Sequence, residues 1–311
     1  MQVYRRKRRN WRLMLPGGIP LKPVPGAAVE GYFNSTLLAG DSERLTLICR
    51  KSYYNLSAKG HMIEAIDRAR TRNYCLEFAW TSGRLRLGET RWLPALDGLE
   101  DIRVFHGVPH KFFFAVELLS APPPARHPAG LPSAPVAGVI TCRADQVEIQ
   151  RMQIPEAPRR IEKNWVYFQD RNRLLIEKSP GSPALYVVDP IALTLTREGA
   201  EDGPLFWSGT KAIAWNGGIL FLDHRRVKLP EPFRIKVRYI YRFRYHAEGA
   251  VRHSREFSMG PRAAVSYVSD LQQACAVRPD LGDGVVLSVS RNDNSFALFL
   301  IESQALRQLF T

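Results

Sequence analysis

The chain is 311 residues long, 45% hydrophobic and 24% charged, the composition of a folded globular protein with room for one large domain or two ordinary ones. No apolar run reaches the ~18–20 residues of a membrane-spanning helix, and the basic start offers only Leu13-Met14-Leu15 before Pro16-Gly17-Gly18, so neither a helical span nor export behind a signal peptide is expected. The net charge of +14 keeps anionic partners in play, whether phosphate, a lipid surface or nucleic acid.

Residues 1–20 read as a basic N-terminal arm carrying Arg5, Arg6, Lys7, Arg8, Arg9 and Arg12. A solvated terminus is the plain reading, and contact with anionic lipid or nucleic acid the sharper one. Strand-like runs follow at Leu45–Arg50, Tyr74–Trp80, Val104–Phe105, Lys111–Leu118, Val136–Cys142, Leu174–Glu177, Ala184–Val188, Gly218–Leu222, Ile235–Tyr245, Val285–Val289 and Phe296–Ile301. Turn residues such as Ala39-Gly40-Asp41, Asn216-Gly217-Gly218 and Asp283-Gly284 separate them. Only Gly60–Thr71 has a helix pattern, with a short helical turn at Glu302–Leu309, and Ala121–Pro135 reads as a Pro- and Ala-rich surface loop. In Arg234–Tyr245 the even positions are mostly cationic and the odd ones apolar or aromatic, which predicts a strand with one buried and one solvated face. The aromatic residues there share the apolar face, which argues against a nucleic-acid platform.

The cysteines, Cys49, Cys75, Cys142 and Cys275, are widely spaced, so no metal cluster is expected. Cys49, Cys142 and Cys275 read as small core residues, and a reducing cytoplasm is the expected location.

Short polar signatures precede strand pairs at five places: Phe33-Asn34-Ser35, Glu100-Asp101, Lys163-Asn164-Trp165, Trp207-Ser208-Gly209-Thr210 and Ser269-Asp270. Their spacing, about 67, 62, 43 and 60 residues, suits four-stranded propeller blades. The pattern predicts an all-β, single-domain, five-bladed β-propeller over residues 21–311. A two-sheet sandwich is the competitor, but about twenty short strands are too many for one. In a propeller, the five signatures would converge on one end of the central axis.

In that order the motifs resemble the five-bladed β-mannoside phosphorylases of glycoside hydrolase family 130 and the related propeller mannosyltransferases. Phe33-Asn34-Ser35 with Arg50 resembles the first-blade Asn and Arg, and Gly98–Arg103 the Gly-x-Glu-Asp-Pro-Arg motif, with Ile102 in place of proline. Glu162–Trp165 resembles the third-blade Lys motif, Gly218–His224 a fourth-blade strand ending in His, and Val285–Asp293 the last-blade strand closing in an Asp turn.

The resemblance implies an inverting enzyme that transfers or phosphorolyses a β-linked hexose, such as a β-mannoside, with no cofactor. Asp101 would be the general acid, its pKa raised by neighbouring Glu100. Arg50, Lys163 and His224 would cradle inorganic phosphate or a sugar nucleotide, while Asn34, Glu100, Arg103, Asn164, Trp165 and Asp293 would bind the sugar. A hydrolase is disfavoured at this stage because it needs a carboxylate base facing Asp101. The competing reading is a non-catalytic propeller that binds a glycan or an anionic partner, nucleic acid or the inner membrane face, through its basic surface.

Overall fold

The computed structural model describes residues 15, 19, 21–51, 55–56, 62–63, 71–106, 111–118, 133–143, 146–151, 166–168, 173–178, 182–189, 192, 194–200, 207–208, 211–228, 237–247, 249–259, 266–291 and 293–311. The arginines of the basic arm and the candidates Lys163, Asn164 and Trp165 lie outside them.

The strands are, in chain order, β1 (Lys22–Glu30), β2 (Phe33–Gly40), β3 (Arg44–Lys51), β4 (Asn55–Leu56), β5 (Met62–Ile63), β6 (Arg72–Thr81), β7 (Arg84–Trp92), β8 (Leu99–His106), β9 (Lys111–Leu118), β10 (Ser133–Arg143), β11 (Gln146–Arg151) and β12 (Val166–Phe168). They continue as β13 (Arg173–Lys178), β14 (Ser182–Asp189), β15 (Thr194–Ala200), β16 (Trp207–Ser208), β17 (Ile213–Trp215), β18 (Gly218–Lys228), β19 (Val237–Ala247), β20 (Ala250–His253), β21 (Ser266–Gln273), β22 (Val285–Arg291) and β23 (Ser295–Ile301). Two short helices follow late strands, α1 at Ala274–Val277 and α2 at Ser303–Gln308.

Antiparallel pairing groups the strands into sheets β2-β3-β6-β7, β8-β9-β10-β11, β12-β13-β14-β15 and β1-β23-β22-β21, each four-stranded. A further sheet, built on β18, β19 and β20, departs from that pattern with five strands, and β4 and β5 form a two-stranded one. β18 is longer than either strand opposite it, so β17 covers Gly218–Leu220 while β16 covers Asp223–His224. The expected five-bladed propeller is corrected accordingly: among the described residues the propeller has four four-stranded blades, not five.

The sheets stand side by side as propeller blades, with apolar cores between neighbours. Leu220, Leu222, Tyr241 and Phe243 pack on Leu271, Leu287, Val289 and Phe299 of the last sheet. The other face of that sheet, with Val286, Phe296 and Leu298, packs on Leu37, Leu47, Leu76 and Phe78 of the first. Leu38, Ile48 and Cys75 then pack on Ile102, Val104, Phe113 and Val136 of the second. A strand buried on both faces is apolar nearly throughout, as in Val285-Val286-Leu287 of β22. The ring closes where β1 pairs with β23, Val29 opposite Phe296. The fold is thus a single all-β domain with a propeller arrangement. Leu15, inside the span assigned to the arm, is buried in the core with Trp215 and Phe257.

Asp270 of β21 pins the inner strands together. Its Oδ2 accepts from the Leu37 amide at 2.9 Å, Gln272 Nε2 at 2.6 Å and Thr36 Oγ1 at 3.2 Å. Lys211, ahead of β17, pairs with its Oδ1 at 3.5 Å and donates to the Val104 carbonyl of β8 at 2.7 Å. Val104 N in turn donates to Thr36 Oγ1 at 3.1 Å. Ser269 and Asp270, expected to converge with the other signatures, are both buried, and Asp270 joins β21 to β2 and to Lys211.

Three other expectations are corrected. The cationic face of β19 is not solvated: Arg242 and Arg244 flank the buried Asp223 at 3.7 and 3.2 Å, with their side chains 19% and 12% exposed. An acid on β18, opposite Arg242 in the register, draws both arginines inward. The helix expected over Gly60–Thr71 is contradicted at Met62-Ile63, which pair with Asn55-Leu56 as strands. Cys275, expected in the core, is exposed on α1, while Cys49 and Cys75 are buried.

Candidate functional site

The site begins with an irregularity shared by three inner strands. Register shifts lie between Phe33 and Thr36 of β2, Glu100 and Arg103 of β8, and Val268 and Asp270 of β21. A bulge bends a strand and re-aims a side chain. At two of these bulges the backbone is left-handed, with φ 52° at Asn34 and 52° at Asp101. Asn and Asp tolerate that conformation better than other residues with a Cβ, because their short polar side chains bond locally. Strain of about 1–3 kcal/mol is held at each such position.

The two bulges meet. Asn34 Nδ2 donates to Asp101 Oδ1 at 2.7 Å, and the Asn34 amide donates to Ser290 Oγ of β22 at 2.9 Å. Beneath them Ser35, Ser269, Ser288 and Ser290 form a buried ladder of hydroxyls, which includes Ser269 Oγ donating to Ser288 Oγ at 3.0 Å. Asp293, in the turn between β22 and β23 with φ 47°, accepts from the Tyr267 hydroxyl at 2.8 Å. Burial pushes the Tyr267 phenol well above its ordinary value; Asp293 and Asp101 add to the shift and Arg50 opposes it.

Arg50, one of the cations expected around Asp101, has specific partners. Arg50 is hydrogen-bonded to Glu100 in a buried ion pair and also donates to Thr71 Oγ1 at 3.2 Å, while its guanidinium lies 5.1 Å from the centre of the Phe33 ring. Glu100 is therefore engaged with Arg50. Arg103 is buried; burial lowers its pKa, against the opposing pull of Asp101 and Asp270.

His224 of β18 is held neutral. Burial first, and then Arg103, push its pKa down to about 4, outweighing the pull of Asp101. At pH 7 it is an uncharged hydrogen-bonding group rather than the cation expected for an anion cradle. Its Nδ1 is buried with no hydrogen-bond partner among the described residues. Tyr239 stands edge-on to His224 at 5.5 Å and lies 6.1 Å from Tyr267.

Asn34, Arg50, Glu100, Asp101, Arg103, His224 and Asp293 are thus linked by hydrogen bonds, ion pairing or mutual electrostatic influence. Tyr267 and Tyr239 were missed. Tyr267 lies two residues ahead of the Ser269-Asp270 signature, at the head of an inner strand, and that position was its only signal. Tyr239 was counted with the apolar face of its strand.

No family model matches the chain, and no curated protein matches it. Solved structures do resemble it. An exo-β-1,3-galactanase from Phanerochaete chrysosporium, solved with galactose, is 10% identical, with a TM-score of 0.50 over 93% of this chain and 62% of that one. The RS223 β-xylosidase is 8% identical, with a TM-score of 0.52 over 91% of this chain and 95% of its own. A GDP-Man-dependent mannosyltransferase from Leishmania mexicana is 10% identical, with a TM-score of 0.47 over 88% of this chain and 85% of that one. The likeness to the galactanase and the xylosidase is one of fold, and the chain spans about three-fifths of the galactanase.

Proposed function

We propose that this chain is a carbohydrate-active enzyme that breaks or transfers a glycosidic bond at one end of the propeller axis, with Asp101 as the acid that protonates the departing oxygen. One observation carries the reading: Asp101 is held in a left-handed bulge, hydrogen-bonded by Asn34 from the neighbouring inner strand, with Arg103 and the neutral His224 as electrostatic neighbours. A carboxylate fixed in that way by other elements is the arrangement general acid–base chemistry needs. That two structures of the same fold are named as a galactanase and a xylosidase supports a sugar as substrate. The motif order supports a β-linked hexose, with a β-mannoside first in line, and inversion at the anomeric carbon.

Replacing Asp101 with Asn tests this. The variant is expected to bind sugar as the parent does and to lose turnover by about 10³-fold or more. The assay is release of reducing sugar, and uptake or release of phosphate, against a panel of β-hexosides and sugar nucleotides. Unchanged turnover in the variant refutes the assignment, and binding without turnover in the parent leaves a glycan-binding propeller.

A further inference from the structure

A second carboxylate stands at the same end of the axis in a different setting. Asp101 receives an amide hydrogen from Asn34, whereas Asp293 receives a phenolic hydrogen from Tyr267. The Tyr267 phenol feels both carboxylates, so Asp101 and Asp293 lie within electrostatic reach of one ring. They come from different sheets, Asp101 on β8 and Asp293 in the turn that follows β22. Two carboxyl groups in unlike environments are the usual signature of divided acid and base roles. A third group points to a ligand there: His224 Nδ1, buried and without a hydrogen-bond partner among the described residues, is an electrostatic neighbour of Asp101. Buried polar atoms in folded proteins are nearly always satisfied, and a ligand hydroxyl would satisfy this one.

Building on the proposed sugar chemistry, we infer that Asp293 is the second catalytic carboxylate, the base that activates water, and that Tyr267 is its positioning residue. The accepting nucleophile is then water and the reaction is hydrolysis. The water oxygen bonds to the anomeric carbon as Asp293 takes one of its protons. The bond from that carbon to the bridging oxygen breaks, its electron pair stays on the bridging oxygen, and Asp101 supplies the proton. One water is consumed and two free hydroxyl groups are produced. An inverting hydrolase requires this division of labour, with the two carboxyl groups on opposite sides of the sugar. The ion pair between Arg50 and Glu100 fits the same picture, because that guanidinium already has a carboxylate partner.

The test uses the full chain with p-nitrophenyl β-D-mannoside, β-D-glucoside and β-D-galactoside, in phosphate-free buffer and with added inorganic phosphate. Release of p-nitrophenol without phosphate, with free hexose as product, is the expected result. Asp293→Asn is expected to lower kcat by about 10³-fold with sugar binding retained, and added azide to restore cleavage as a glycosyl azide of inverted configuration. Tyr267→Phe is expected to lower kcat about 10- to 100-fold with KM within about twofold and to move the acid limb of the pH–rate profile to higher pH, a movement that a smaller folded fraction would not produce. A thermal midpoint within a few degrees of the parent shows that each variant is folded, and Asp293→Ala serves as a second variant. Cleavage only in the presence of phosphate, with hexose 1-phosphate as product, or an Asp293→Asn variant at the parent rate, overturns the inference and leaves the sugar chemistry standing. No cleavage of any β-hexoside and no transfer from any sugar nucleotide overturns both.

Discussion

Asn34 and Asp101 bond to each other side chain to side chain at 2.7 Å, from two strands in different sheets, and each holds a positive φ. Each bulge thereby orients the functional group of the other. Asn34→Gly removes the amide while suiting the left-handed backbone, and Asn34→Ala removes the amide and adds about 1 kcal/mol of backbone strain. Both are expected to lower turnover by a similar factor, about 10- to 100-fold, but only the alanine variant should lose stability. Urea midpoints together with initial rates separate the two effects.

Arg50 and Glu100 form a buried pair, their side chains 7% and 11% exposed. Glu100→Gln leaves the guanidinium without its carboxylate and is expected to cost about 3–5 kcal/mol of stability. Replacing both, as Arg50→Met with Glu100→Leu, should recover at least half of that loss, because two apolar groups need no compensation. Chemical denaturation of the two variants and the parent measures this, and a double variant less stable than Glu100→Gln would contradict it.

His224 makes stability depend on pH. Its pKa in the fold, about 4, is depressed below the ~6.5 of an unfolded chain, so between those values the unfolded state binds the extra proton. Stability is therefore fully present above about pH 6.5 and lost as pH falls towards 4. Arg103 and Asp101 are the charged groups that face the ring, and Tyr239 and Tyr241 pack against it. Allowing for the part of the ring that stays exposed, the parent should lose about 2 kcal/mol more than His224→Gln between pH 7 and 4.5. Equal losses of unfolding free energy in the parent and His224→Gln between these two pH values, measured by urea titration, would refute the assignment.

Gly26 of β1 has φ +80°, and a Cβ there would lie 2.0 Å from the Leu85 carbonyl oxygen of β7. Neither the backbone conformation nor the space admits a side chain. Gly26→Ala is expected to cost about 2–4 kcal/mol. The loss should appear first as faster hydrogen exchange at the amides that pair β1 with β23.

Much of the architecture was legible because blades are local. Lys111–Leu118 is β9 to the residue, and the apolar runs of β22 and β23 were readable because both faces of their sheet are buried. What the sequence hid was long-range. The strand β7, with Leu87 and Trp92 exposed, carries too little apolar patterning to stand out. The partner of Arg50 became visible only once β3 and β8 were brought together. The alternation of β19 was read correctly as a strand, but its cationic face turned inward because Asp223 lies on the strand opposite, which no local pattern reveals. Asn34 and Asp101 were singled out as polar residues near the heads of strands and Asp293 as a turn residue behind one, whereas no motif marked out Tyr267.

The pairing of β1 with β23 also sets a timetable. Lys22–Glu30 is made before the strands β2 to β22 and Ser295–Ile301 after them, so β1 must wait for all of these before it finds its neighbour. During that wait, and in any product cut short before β23 is made, Val24, Ala27 and Val29 of β1 are left without the strand that pairs with them. Slow translation between β22 and β23, or loss of either β1 or β23, should therefore register as aggregation before it registers as lost activity.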